Sequence, residues 1–182
     1  MKFIETGIKD LMIVEPAVFG DERGYFFESF NEATWKAAIN DVPNFVQDNE
    51  SMSHKNVLRG LHFQKPPYAQ GKLVRVVKGS VLDVAVDLRK NSPTYGQHFK
   101  IVLSEENKKQ LYVPEGFAHG FLTLEDNTIF SYKCTNVYNK ESEDGLLWND
   151  LELDIDWGME NPLLSEKDKV YKDFLNFASP YL

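Results

Sequence analysis

The sequence predicts a mostly β protein, a jelly-roll-like β-barrel with a few short helices outside it. From about residue 45 to 157 the chain is a succession of short β-rich runs, including KLVRVVKGSVLDVAVDLR, HFKIVLS, KQLYVPEG, HGFLTL and TIFSYKCTNVY. Strands this short, divided by turn residues at close intervals, are the pattern of a closed antiparallel sandwich or barrel. Helical spacing is confined to two short segments, one early and one near the C-terminus.

Taken in order, residues 1 to 30 read as short strands, with IVEPAVFGDERGYFFESF broken at Pro16 and at the DERG turn. NEATWKAAIN, residues 31 to 40, reads as a short helix with Asn31 as its N-cap. KLVRVVKGSVLDVAVDLR is two strands around a Lys-Gly-Ser turn. LSEKDKVYKDFLNF returns to helical spacing, with Val170, Phe174 and Phe177 on one face and Ser165 as N-cap. No internal repeat, low-complexity tract or linker interrupts the chain, so residues 1 to 182 are expected to form one domain. That length buries a substantial core without staples.

Hydrophobic residues make up 42% and charged residues 26%, the ordinary globular range. The apolar stretches, such as VLDVAV and FAHGFLTL, are too short and interrupted to span a bilayer. MKFIETGIKDLMIVEP has no uninterrupted apolar segment and no small-residue cleavage site, so no signal peptide is expected. Cys134 is the only cysteine, which excludes a disulfide within the chain and suits a reducing compartment, with the cytoplasm as the default. A net charge of −8 disfavours a nucleic-acid-binding surface, which needs a concentrated basic face. A small anionic ligand remains compatible, because it responds to the local field of a cleft. Arg23, Arg59, Lys72, Arg75 and Lys167 fall next to turns and strand ends.

Alternation says which side chains can meet. In VLDVAVDL, Leu82, Val84, Val86 and Leu88 share one face, and Asp83, Ala85 and Asp87 the other. In TIFSYKCTNVY, Phe130, Tyr132, Cys134, Asn136 and Tyr138 share a face. A wall with carboxylates, tyrosine and cysteine is the lining of a ligand cavity rather than of an apolar core. In RGLHFQ, strict alternation sets Arg59 and His62 on opposite faces. Both reach one pocket if the phase slips at Gly60, or if the Arg59 side chain reaches around.

Barrels of this kind, the cupins, often hold a metal with a His-x-His pair, a Glu and a later His behind a Pro-x-Gly turn. VPEGFAHGF supplies the later part, with Pro114, Gly116 and His119. The position two after His62 is Gln64, however, and a carboxamide is a poor transition-metal ligand. A metal-free cavity is therefore expected. His, Lys and Tyr in such a cavity suit proton transfer next to a carbonyl: imidazole takes a proton near neutral pH, an ammonium stabilises the developing enolate oxygen, and a phenol returns a proton.

The runs FGDERGYFFESFN, FVQDNESMS, NVLRGLHFQ, QGKLVRVVKGSVLDVAVDLRKNSPTYGQ, LYVPEGFAHGFLTL, YKCTNVY, LLWND and LSEKD closely resemble the dTDP-4-dehydrorhamnose 3,5-epimerase family, collinearly over nearly the whole chain. The resemblance implies a dimeric cupin barrel that converts dTDP-4-dehydro-6-deoxy-D-glucose to dTDP-4-dehydro-L-rhamnose, without metal or dissociable cofactor, for the dTDP-L-rhamnose of cell-surface polysaccharides. It implies that His62 is the catalytic base, Asp168 the carboxylate that orients it, Lys72 the lysine near the sugar ketone and Tyr132 the general acid on the opposite face. Arg23, Glu28, Gln47, Asn49, Arg59, His119, Glu143 and Lys167 match substrate-binding positions, and Tyr138 the aromatic that stacks on the thymine. Val137 departs from the pattern, since relatives often show a second tyrosine there.

Each of these residues also has a structural reading. Asp168 stands three after Ser165, the spacing of a capping box. Tyr132 and Tyr138 suit the packing of a β-barrel. Lys72 and Arg23 suit solvated turns, Glu143 a polar loop, and Cys134 a small packed side chain. No clear role attaches to Asp83. Competing functions are epimerisation at C3 or C5 alone, sugar 3,4-ketoisomerisation, a metal-dependent cupin enzyme, and a non-catalytic nucleotide-sugar-binding module.

Overall fold

The computed structural model describes residues 1–39 and 42–182. Four short strands open the chain: β1 (Lys2–Glu5), β2 (Met12–Glu15), β3 (Val18–Asp21) and β4 (Gly24–Phe27). Helix α1 (Glu32–Ala38) follows, then β5 (Gln47–Ser53), β6 (Leu58–Gln64), β7 (Lys72–Lys78), β8 (Ser80–Asp87) and β9 (His98–Ser104). The last strands are β10 (Gln110–Val113), β11 (Phe117–Thr123), β12 (Thr128–Cys134) and β13 (Glu143–Gly145). A six-stranded sheet has the order β1-β2-β10-β7-β12-β5, a five-stranded sheet the order β13-β6-β11-β8-β9, and β3 and β4 form a separate hairpin. Every ladder is antiparallel. The two large sheets face each other as a jelly roll, and they remain separate ladders rather than one closed barrel. Among the described residues no helix is long and apolar enough to cross a membrane.

Alternation explains how the sheets meet. On β8, Val81 and Ala85 point between the sheets, where Val74, Val76, Leu111, Phe121 and Phe130 join them. Phe121 of the five-stranded sheet stacks on Phe130 of the six-stranded sheet with centroids 4.1 Å apart. Burying side chains of this size contributes roughly 1.5–3 kcal/mol each. Val84 and Val86 point the other way, into a second apolar layer with Leu61, Phe63, Trp157 and Tyr181. A third layer covers the outer face of the six-stranded sheet. Trp35 of α1 is fully buried there, edge-on to Phe3 at 5.1 Å and to Tyr112 at 5.4 Å. Asn31 caps α1 by accepting from the Thr34 N–H at 3.2 Å, and Ile39 closes it. Residue 40, at the end of the expected helix, lies outside the described residues.

Three expectations need correction. LSEKDKVYKDFLNF is not a helix but a series of turns, so α1 is the one helix among the described residues. Its Asp168, Val170 and Phe177 N–H groups close local turns on Ser165, Lys167 and Phe174 O, and other groups bond to distant chain: Leu147 N–H donates to Lys172 O and Phe174 N–H to the Asp150 carboxylate. Phe174 and Phe177 pack on the second apolar layer, as an amphipathic segment should, while Val170 stays exposed. The second correction concerns TIFSYKCTNVY, whose strand stops at Cys134. Asn136 and Tyr138 lie in the following connection rather than on the strand face. Asp87, placed by alternation on the cavity face, ends β8 and is instead held by Arg89, Ser92 and Thr94.

The slip expected at Gly60 is present. His119 pairs with His62 and Phe121 with Arg59, so Gly60 and Leu61 together oppose the single residue Gly120. That extra residue returns Arg59 to the face that carries His62. Gly60 has φ +138°, and a Cβ there would stand 2.5 Å from the Gly120 Cα. We expect Gly60→Ala to cost at least about 2 kcal/mol. A thermal melt should show a loss of roughly 4–8 °C in Tm; wild-type melting would mean that the two strands separate without strain.

Candidate active site

Polar side chains converge at one end of the space between the sheets, around a cavity of about 300 Å³. The five-stranded sheet supplies His62, Gln64 and Glu143, from β6 and its edge neighbour β13, where Gln64 pairs with Glu143. The six-stranded sheet supplies Gln47 and Asn49 of β5, Lys72 of β7 and Tyr132 of β12. Their meeting is a matter of register. Tyr132 lies opposite Asn49, and Cys134 lies between Gln47 and Lys72. Gln70 and Tyr138, from connections at the same end, complete the rim. A larger depression, about 1080 Å³, opens beside Lys9, Asp10 and Arg89 and contains none of the catalytic or substrate-binding candidates from the sequence.

His62 Nε2 lies 2.5 Å from Asp168 Oδ1. Burial opposes ionisation of Asp168, but the His62 hydrogen bond and charge, Ser165 and Lys167 together hold its carboxyl below the ordinary range. The carboxylate is therefore the acceptor and Nε2–H the donor, which leaves the lone pair on Nδ1. Ser165 donates to the second carboxylate oxygen at 2.8 Å and accepts from the Asp168 N–H at 3.3 Å. The Ser-x-x-Asp spacing thus closes a turn and aims the carboxylate at the imidazole. Tyr171 stands edge-on to the His62 ring at 5.7 Å. Gly145 makes room for it, because a Cβ there would meet the phenol ring at 2.7 Å. Burial lowers the His62 pKa below its usual 6.5, only partly offset by Asp168. The imidazole is neutral at neutral pH.

Across the cavity, burial raises the pKa of Tyr132, and Cys134 adds to this while Arg59 opposes it. The phenol is a retained proton. Burial lowers the pKa of Lys72, with Cys134, Asp83 and Glu143 pulling the other way. Cys134 is fully buried and its thiol is pushed up by burial, so it stays protonated. Asn49 Nδ2 donates to the Cys134 sulfur at 3.5 Å, and Asn49 Oδ1 accepts from Gln47 Nε2 at 3.1 Å. At the rim Lys167 donates to Glu143 Oε1 at 2.6 Å, and the Tyr138 hydroxyl to Oε2 at 3.2 Å. Burial raises the Glu143 pKa, but the Lys167 bond and charge, the His62 charge and the Tyr138 bond together outweigh it, and the net shift is downward.

Not every residue singled out by the sequence lines this cavity. Arg59 bonds Ser53 Oγ on β5 at 3.1 Å, beside the cavity rather than in its lining. His119 is buried behind it, opposite His62 in the ladder, with Nε2 at 3.0 and 3.1 Å from the two oxygens of Asp83. Arg23 pairs with Asp21 in the turn of the exposed β3–β4 hairpin, and Glu28 accepts from Asn31 at the start of α1. Neither reaches the cavity of its own chain. The sequence gives Ser165 only a helix-capping role and Tyr171 none. Nothing local marks Tyr171, whose position depends on the bridge between Leu146 and Lys172. Among the described residues no three His, Cys, Asp or Glu side chains form a group able to hold a metal ion.

The sequence profile of the dTDP-4-dehydrorhamnose 3,5-epimerase family matches residues 5–176. The chain belongs to that family. The dTDP-4-dehydrorhamnose 3,5-epimerase of Shigella flexneri is 57% identical over 168 residues, covering 92% of this chain and 93% of the relative. Among solved structures, the epimerase of the same name from Elizabethkingia anophelis is 52% identical, covers 97% of both chains and superimposes with a TM-score of 0.93. A dTDP-6-deoxy-D-glucose-3,5-epimerase from Legionella pneumophila, solved with dTDP-4-keto-L-rhamnose, is 47% identical, with 97% of this chain and 94% of the other covered and a TM-score of 0.93. As in the family, the chain is a β jelly roll, and members of the dTDP-4-dehydrorhamnose 3,5-epimerase family are isomerases.

Titration of the His62 imidazole by NMR should give a pKa below 6.5, the value it departs from. Asp168→Asn removes an anion that favours the imidazolium, so the pKa should fall further. A midpoint that rises in the variant would contradict this account of the pair.

Proposed function

We propose that the chain epimerises C3 and C5 of dTDP-4-dehydro-6-deoxy-D-glucose, giving dTDP-4-dehydro-L-rhamnose for dTDP-L-rhamnose synthesis. The observation that carries this reading is the approach of His62 and Tyr132 to one cavity from two different sheets, with Lys72 lining the same cavity. A neutral imidazole with a carboxylate behind it removes the proton beside the C4 ketone. The electrons move onto the ketone oxygen, and the Lys72 ammonium stabilises the enolate. The Tyr132 phenol then delivers a proton to the opposite face of the same carbon, which inverts it. Solvent restores both groups. C3 and C5 flank the same ketone, so one oxyanion site serves both enolisations once the sugar ring turns. Proton transfer of this kind draws on side chains alone and needs no metal or dissociable cofactor.

Gln47, Asn49, Glu143 and Lys167 would hold the sugar nucleotide at the rim, and Tyr138, more than half exposed, would stack on the thymine. Arg59 and His119 would bind from the flank. Arg23 and Glu28 contribute in a homodimer in which a second copy covers the β3–β4 hairpin. Support for this is the exposure of Phe19 and Phe26 on that hairpin, 66% and 70%, which a lone chain leaves in water. We place this single-domain enzyme in the cytoplasm, which its single, unpaired cysteine suits.

Incubation with the keto-sugar nucleotide in heavy water, followed by NMR, should show deuterium at both C3 and C5. Label at one carbon would assign a single-position epimerase, and binding without exchange a non-catalytic module. His62→Ala and Tyr132→Phe should each lose about two to four orders of magnitude in turnover with the fold intact, and Lys72→Met roughly two to three. Near-normal turnover in any of them would remove that residue from the mechanism. Light scattering should give twice the 21.0 kDa chain mass.

A further inference from the structure

We infer that Gln64 is a positioning residue for nucleotide recognition, its carboxamide clamping the chain on either side of Tyr138. The inference deepens the proposed function and rests on its assignment of Tyr138 to the base. Gln64 ends β6, two residues past His62, and is only 4% exposed. Its Nε2 donates to Tyr68 O at 2.6 Å and to Val137 O at 3.1 Å, while its Oε1 accepts from the Asn139 N–H at 2.7 Å. Both amide hydrogens and one lone pair of the carbonyl oxygen are therefore engaged by backbone. Two of the three bonds go to the residues immediately before and after Tyr138.

The Tyr138 ring has little else to hold it. It is 53% exposed, and its hydroxyl meets only the Glu143 carboxylate at the rim. The direction of an exposed ring is set by its backbone, and that backbone is fixed by Gln64 and by Gln47, whose Oε1 accepts from the Tyr138 N–H at 3.0 Å. Gln64 is itself immobile. Its carbonyl accepts from the buried Tyr181 hydroxyl at 2.5 Å, and its neighbour Phe63 packs in the apolar layer beneath. One strand thus carries His62 and the clamp, two residues or roughly 6.6 Å apart along its axis. The distance from the reacting carbon to the base-binding ring is referenced to a single rigid element. This gives a use to the amide found at the position where metal-binding barrels of this type place a second imidazole.

The test is a double-mutant cycle on dTDP binding by calorimetry, with kcat and KM measured on the keto-sugar nucleotide. Tyr138→Ala should weaken dTDP roughly 5- to 100-fold, the range for losing one base–aromatic stack. Gln64→Met, similar in volume but without the three bonds, should weaken it at least about fivefold and raise KM with kcat little changed, the pattern of lost uniform binding. In the Tyr138→Ala background Gln64→Met should add nothing, because its effect passes through that ring. Unchanged dTDP affinity in Gln64→Met, a fall in kcat at constant KM, or additive losses in the double variant would each overturn the inference. If Gln64→Met does not fold, Gln64→Asn, which shortens the stem and keeps the amide, enters the same cycle with the same outcomes. A wild-type protein that fails to bind dTDP would overturn the proposed function and this inference together; wild-type binding with an unmoved Gln64 variant would overturn the inference alone.

Discussion

The hydrogen bond between His62 and Asp168 joins residues 106 positions apart, and much of the site hangs on it. Asp168 is almost fully buried, and a carboxylate in that position is tolerable only with partners for its oxygens. His62 fills one and Ser165 the other, so the imidazole is part of what keeps the C-terminal segment in place. The same segment then delivers Lys167 to Glu143 and Tyr171 to the edge of the imidazole. Its turns, which replace the helix expected from its apolar spacing, bring Asp168 and Tyr171 to His62 while Lys167 reaches Glu143.

A single constraint, partial removal from water, acts on all the reactive groups in the cavity. It lowers His62 and Lys72 and raises Tyr132 and Cys134, in each case favouring the neutral form. For an imidazole base and a phenol donor that is the useful direction. For Lys72 it works against the charge, and the opposing pull of Asp83 and Glu143 gives the ammonium its support. The apolar half of the interior is built around the stacked Phe121 and Phe130.

The rim is organised differently. Gln47, Gln64 and Gln70 tie the connections that flank β7 and follow β12 together through neutral amides. Amides satisfy backbone groups without adding charge beside the reactive residues, and their geometry is directional. The charged pair at the rim, Glu143 with Lys167, is left near solvent, where an ion pair by itself adds little to stability.

The sequence by itself determined the strands, their alternation and much of the cast of the site. Period-two patterning in VLDVAVDL and TIFSYKC is a local property of the chain, so the inward direction of Asp83 and Tyr132 could be read without coordinates. The slip at Gly60 was legible for the same reason, since two residues that share a face out of phase require an extra one between them. What only the tertiary structure decided was everything set by pairing between distant segments. LSEKDKVYKDFLNF has helical spacing, yet it folds into local turns whose other bonds go to separate segments, as with Lys172 to Leu147 and Asp168 to His62, and long-range bonds leave no periodic trace. Gln64 gave no sign of its three bonds for the same reason. Its partners come from connections that meet only when the two sheets face each other, and burial of the amide forces them to be satisfied there.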